Sequence, residues 1–270
     1  MVSIAERREA ERLRTAPESV WSSPPDTVSM RARDVHVWRV SLDVERPALQ
    51  HLWSILTPDE QARANRFRFS TDRTRFIAAR AHLRGVLGLY AHEEPSQLKI
   101  SYARHGKPYL PHRRLRFNIS HSDRLALIAV ADRREVGVDL ERLRPRIDHE
   151  SIAARFFAPA EVARLRAVPE SMRHEAFLAC WTRKEAYIKA KGGGLSIPLD
   201  QFEVSLAPDE PCRLVNVRWD QKEKARWSLI GLTPGAGYVG ALCVEEREPL
   251  VRCWQWSYRD GLVSSMKAAG

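Results

Sequence analysis

The chain has 270 residues, 44% hydrophobic and 29% charged, a balance that excludes a disordered polymer and allows one large domain or two small ones. A formal net charge of +10 points to a polyanionic partner, whether nucleic acid, a phosphorylated cofactor or an acidic protein. No apolar run approaches the ~20 residues of a membrane span, MVSIAERREAERLR lacks the apolar stretch of a signal peptide, and the scattered Cys180, Cys212, Cys243 and Cys253 form neither a zinc motif nor a disulfide framework. A cytoplasmic protein without membrane association is expected.

Residues 1–30 are polar, end in SSPPD and read as a poorly ordered lead-in. VHVWRVSLD (35–43) alternates and predicts a strand. Thr57 before Pro58 suits an N-cap followed by proline at the first helical position, so a helix is expected over 58–67 and another over 71–90. LKISYA (98–103) predicts a strand leading into HGKPYLP. LRFNIS, LALIAVA and VGVDLE, with the short turns HSDR and DRRE between them, predict an antiparallel meander over 115–141. Helices follow over 156–167 and 174–191, then the strand FEVSL (202–206) and two or three more.

A weak internal repeat runs through this order. Pro58 and Pro159, Glu60 and Glu161, and Arg63 and Arg164 are each 101 residues apart, and the same offset sets RAHLR (80–84) against WTRKE (181–185). The predicted fold class is therefore α+β, a pseudo-twofold pair of similar α+β halves covering 31–133 and 134–270, with a site between them.

Several segments could carry chemistry. In GVDLE, Asp139 and Glu141 share one face of a strand, about 6–7 Å apart. They suit a hard divalent cation, or a solvated edge neutralised by Arg142 and Arg144. Trp181, Glu185 and Lys189 recur every fourth residue, on one helix face, which makes Glu185 either a surface partner of Lys189 or part of a packed site. Glycines 192–194 allow a close backbone approach or a sharp helix exit, and the absence of a following K-[ST] excludes a P-loop. Ser120 and His121 in FNISHS could bind phosphate or satisfy a turn.

HGKP, FNISHS, GVDLE and WTRKEAYIKAKGGGLSIPL, in that order, resemble the motifs of the Sfp-type 4′-phosphopantetheinyl transferases over roughly residues 55–205. Trp181, Lys184, Glu185 and Ala186 resemble its W-x-x-K-E-A branch. The resemblance implies transfer of the phosphopantetheine arm of coenzyme A to a serine of an apo acyl or peptidyl carrier protein, releasing adenosine 3′,5′-bisphosphate. It also implies the pseudo-twofold fold with its site at the interface. Asp139, Glu141 and Glu185 would hold Mg²⁺, with Mn²⁺ served by the same oxygen donors. Lys189 would neutralise the leaving phosphate and Glu185 would act as base, directly or through a metal-bound water. Ser120 and His121 would contact coenzyme A phosphates, with Lys107 and Arg63 at the nucleotide end and Arg80 and Arg84 as further candidates. The expected partners are coenzyme A and an acidic carrier protein, with no nucleic acid, and the two fused halves suggest a monomer. A metal-dependent nuclease would need a D…E-x-K pattern, which fails because Lys189 lies four residues after Glu185. A nucleic-acid-binding protein would leave the aligned acids of GVDLE unexplained.

Overall fold

The computed structural model describes residues 20–144, 148–207 and 210–257. The lead-in expected over residues 1–30 lies outside the described residues as far as residue 19, and Ser22 forms an isolated parallel bridge with Trp254. In chain order the elements are β1 (Asp34–Ser41), α1 (Arg46–Ile55), α2 (Pro58–Ala64), α3 (Ser70–Ala91), β2 (Ser101–Tyr102), β3 (Pro108–Tyr109), β4 (Leu115–Ser122), β5 (Leu125–Asp132) and β6 (Val136–Arg142). Then come α4 (His149–Phe156), α5 (Pro159–Ala167), α6 (Glu170–Lys191), β7 (Phe202–Val204), β8 (Leu214–Val217), α7 (Glu223–Arg226), β9 (Ser228–Leu232), β10 (Tyr238–Val244) and β11 (Leu250–Trp256). Helices α1 and α4 were not anticipated from the sequence.

One sheet has the order β11-β1-β5-β4 and a second the order β6-β10-β9. Strand β5 lies inside the first sheet, with apolar clusters against both its faces: Ala126, Ile128 and Val130 on one side, Leu127, Ala129 and Ala131 on the other. Burial on both faces explains why LALIAVA is continuously apolar instead of alternating. The predicted three-strand meander stops after β4 and β5. Strand β5 is already paired on both edges, so β6 finds no ladder there and pairs with β10 in the second sheet. Strand β11, expected with the second half, runs parallel to β1 and closes the outer edge of the first sheet.

The repeat is structural. Helices α3 and α6 each have 22 residues and both end on a left-handed residue, His92 and Gly192. In the first half Glu60 accepts the Thr57 N–H at 3.1 Å and pairs with Arg84 at 2.7 Å, and Arg84 also donates to Pro95 O and Leu98 O. In the second half Glu161 accepts the Ala158 N–H at 2.9 Å and pairs with Lys184 at 2.7 Å, and Lys184 donates to Leu199 O and Phe202 O. Each proline-started helix is thus tied by its third residue to a buried cation of the long helix. That cation in turn satisfies carbonyls in the segment that follows. The equivalent of Arg84 is Lys184, one residue before Glu185, so the offset of 101 that holds between α2 and α5 slips by one in the long helices.

Candidate active site between the two sheets

Val138 and Leu140 enter the apolar cluster shared by the two sheets, so Asp139 and Glu141 point to the opposite face of β6, as the strand period requires. That face meets α6 backbone to backbone. A Cβ on Gly137 would lie 2.2 Å from Ala186 O and 2.3 Å from Ala190 N, so glycine is what lets the helix lie this close. The close approach brings the turn bearing Glu185 and Lys189 against the acids of the strand.

Lys189 Nζ donates to Asp139 Oδ1 at 2.6 Å and to Ser120 Oγ at 3.1 Å, and Ser120 Oγ donates to Asp139 Oδ1 at 2.7 Å. Two residues along, Ser122 Oγ donates to Glu141 Oε2 at 2.8 Å and accepts the Arg142 N–H at 3.2 Å. Asn118 Oδ1 accepts the Val138 N–H at 3.0 Å. Alternate side chains of β4 therefore stitch the first sheet to β6, taking the place of a backbone ladder.

Lys189 turns to Asp139 and does not form the i,i+4 surface pair with Glu185. Burial raises the pKa of Glu185, and the charges of Asp139 and Glu141 raise it further against the opposing pull of Lys189. Glu141 is raised by burial and by Asp139. Asp139 Oδ2 is buried with no hydrogen-bond partner in the described structure. Mutually repelling carboxylates and an orphaned carboxylate oxygen are the conditions that an oxygen-ligated divalent cation relieves, so the donor set fits one. Among the described residues no three His, Cys, Asp or Glu side chains stand as a ready-made cage, and the Lys189 ammonium occupies Asp139 Oδ1.

Beside these groups opens a cavity of about 700 Å³, walled by Phe67, Phe76, Phe177 and Trp181 and lined by Arg63, Arg75, His121, Glu141, Arg142 and Arg144. The Arg63 guanidinium lies over the Phe76 ring at 5.2 Å. Burial, then Lys189 and Arg75, lower the pKa of His121, which keeps its ring neutral near pH 7.

The candidate residues do not all converge. Arg63 and His121 face the cavity, whereas the hydroxyl of Ser120 is engaged by Asp139 and Lys189. Lys107 lies on the β2–β3 hairpin and donates to Glu135 at 2.6 Å and to Ala190 O at the end of α6 at 2.8 Å. It lines a separate cavity of about 350 Å³ with Arg116, Glu135 and Gly192, so it does not join Arg63. Arg80 and Arg84 are engaged by Glu60 and do not reach the site. Of the three glycines, Gly192 (φ 73°) ends α6 with its N–H on Ile188 O, and Gly194 (φ 54°) opens a short 3₁₀ turn.

Residues 43–133 match the model of the N-terminal part of 4′-phosphopantetheinyl transferases, and residues 135–243 match that of the 4′-phosphopantetheinyl transferase superfamily. The chain belongs to this superfamily. It is 42% identical over 231 residues to the 4′-phosphopantetheinyl transferase HetI of Nostoc sp., covering 84% of this chain and 94% of that protein. It is 33% identical over 171 residues to the transferase Sfp of Bacillus subtilis, covering 62% of this chain and 75% of Sfp. For the transferase AcpT of Escherichia coli the identity is 39% over 149 residues, covering 54% of this chain and 72% of AcpT.

Three features of this transferase lie outside its sequence motifs or outside the roles those motifs imply. Arg75 lies in the second turn of α3, a helix in which only Arg80 and Arg84 stood out as candidates. Asp123 belongs to a turn that looked like a connector. Lys184 figured only as the lysine of W-x-x-K-E-A, yet its side chain is fully buried. Thr182, Lys184 and Ala186 are all buried although i and i+2 point to different sides of a helix, so α6 is enclosed on more than one side, which no single-face pattern in the sequence reveals.

Proposed function

We propose that this enzyme transfers the 4′-phosphopantetheine arm of coenzyme A to a serine hydroxyl of an apo acyl or peptidyl carrier protein, depends on Mg²⁺, and releases adenosine 3′,5′-bisphosphate. The observation that carries this reading is the juxtaposition of Asp139, Glu141 and Glu185 around Lys189, opening beside an arginine-lined cavity. The three carboxylates would hold the cation, which when bound offsets the negative charge of the pyrophosphate. Mn²⁺ suits the same donors.

Glu185 takes the proton from the carrier serine as its oxygen attacks the phosphorus bearing the pantetheine arm. The bond from that phosphorus to the bridging oxygen breaks, and the electron pair leaves with adenosine 3′,5′-bisphosphate. Lys189, held in place by Ser120 and Asp139, offsets the charge that accumulates on the leaving phosphate. Arg63 and His121 bind the nucleotide end with Arg75 and Arg142, while Lys107 braces the end of α6 from outside. The net charge of +10 suits an acidic carrier. Both sheets of the site come from one chain, which suits a monomer.

The test is intact-mass measurement of an apo carrier protein after incubation with the enzyme, coenzyme A and Mg²⁺. A mass gain equal to the phosphopantetheine arm is expected. No gain across a panel of acyl and peptidyl carriers would refute the reading.

A further inference from the structure

The turn between β4 and β5 carries a carboxylate to the mouth of the cavity. Asp123 sits there with φ 50°, and its two oxygens receive two guanidinium groups, Arg75 of α3 at 2.8 Å and Arg142 at the end of β6. All three side chains line the cavity. Arg75 belongs to the first half and Arg142 follows the acids of the second, so Asp123 sits where cations from both halves converge. The fork still has unused capacity, because Arg75 Nε is buried without a hydrogen-bond partner in the described structure.

Two guanidinium groups converging on one anion suit a phosphate as well as a carboxylate. A phosphate entering this fork must displace Asp123 or share the arginines with it, and sharing places two negative charges together. We propose that Asp123 is an internal competitor for phosphate: it occupies the Arg75–Arg142 fork when the cavity is empty and weakens the hold on the nucleotide end of coenzyme A and on the bisphosphate product. The proposal rests on the reading that this cavity receives the nucleotide end. A mere brace between the halves would have the opposite sign, since removing it would let the arginines splay and affinity would fall.

The experiment compares coenzyme A and adenosine 3′,5′-bisphosphate binding by calorimetry to wild type, Asp123→Asn and Asp123→Gly. Asparagine keeps the size and tolerates the left-handed turn, and glycine accepts that turn without strain. Freeing two partly exposed ion pairs is expected to tighten both ligands about three- to tenfold. It should also steepen the salt dependence of binding, since more cationic charge then faces the ligand. Unchanged or weaker binding by both variants, with wild-type circular dichroism, overturns the competitor role while leaving the functional reading intact. Failure of the wild type itself to bind coenzyme A overturns both.

Discussion

Gly137→Ala tests how the site is assembled. The added methyl would lie 2.2 Å from Ala186 O and 2.3 Å from Ala190 N, more than 1 Å short of ordinary contact. Both obstacles are backbone atoms of a 22-residue helix, so no side chain can swing aside and α6 must move as a unit. Overpacking of this kind costs about 1–3 kcal/mol, and the rigidity of both partners puts this case near 3. For a chain of this size that is a fall in melting temperature of about 6–12 °C. A helix displaced by about 1 Å carries Glu185 and Lys189 away from Asp139, and misplacement on that scale costs about 100-fold in rate. The control is Gly231→Ala in β9, where an added Cβ meets nothing within 4 Å. Thermal unfolding and single-turnover carrier loading should separate the two variants. If Gly137→Ala melts alongside Gly231→Ala, the packing argument is wrong. If it loses stability but keeps full turnover, the helix–strand separation does not govern the chemistry.

Two further outcomes follow from the paired glutamates. Lys184→Met strands the charge of Glu161 in the core and should cost about 3–5 kcal/mol in urea unfolding. Adding Glu161→Gln removes the stranded charge but leaves an acceptor oxygen for only one of the Ala158 and Val204 N–H groups, which Glu161 accepts through separate oxygens, so it should recover only part of that loss; a stable single variant would contradict the assignment. For Glu60, burial raises the pKa, but the bonds from Arg84 and Arg80 outweigh it and hold the carboxyl below its ordinary value of 4.5. Such a group binds fewer protons folded than unfolded, so its stabilisation is present above that ordinary value and is lost as the pH falls through the folded one. Glu60→Gln should flatten the acid limb of the stability profile, and an unchanged limb would show that other carboxylates set it.

The linear sequence determined the composition of the site more fully than its geometry. Alternation along VGVDLE put Asp139 and Glu141 on one face, the four-residue spacing put Glu185 and Lys189 on another, and Pro58 and Pro159 marked equivalent helix starts. These are local properties, set by the periods of strand and helix, and they survive without knowledge of the partners. Tertiary structure decided what each face meets. Strand β6 left the meander because both edges of β5 were taken, and β11 crossed back to cover β1. Lys107 went to Glu135 and Ala190 rather than to Arg63, because the hairpin bearing it packs at the far end of α6. Lys184 and Glu185 are adjacent in the chain, yet the first closes a core ion pair and the second faces the strand acids. Neighbours on a helix point about 100° apart, so which of them meets an acid, a core or water depends on the elements that fold against it.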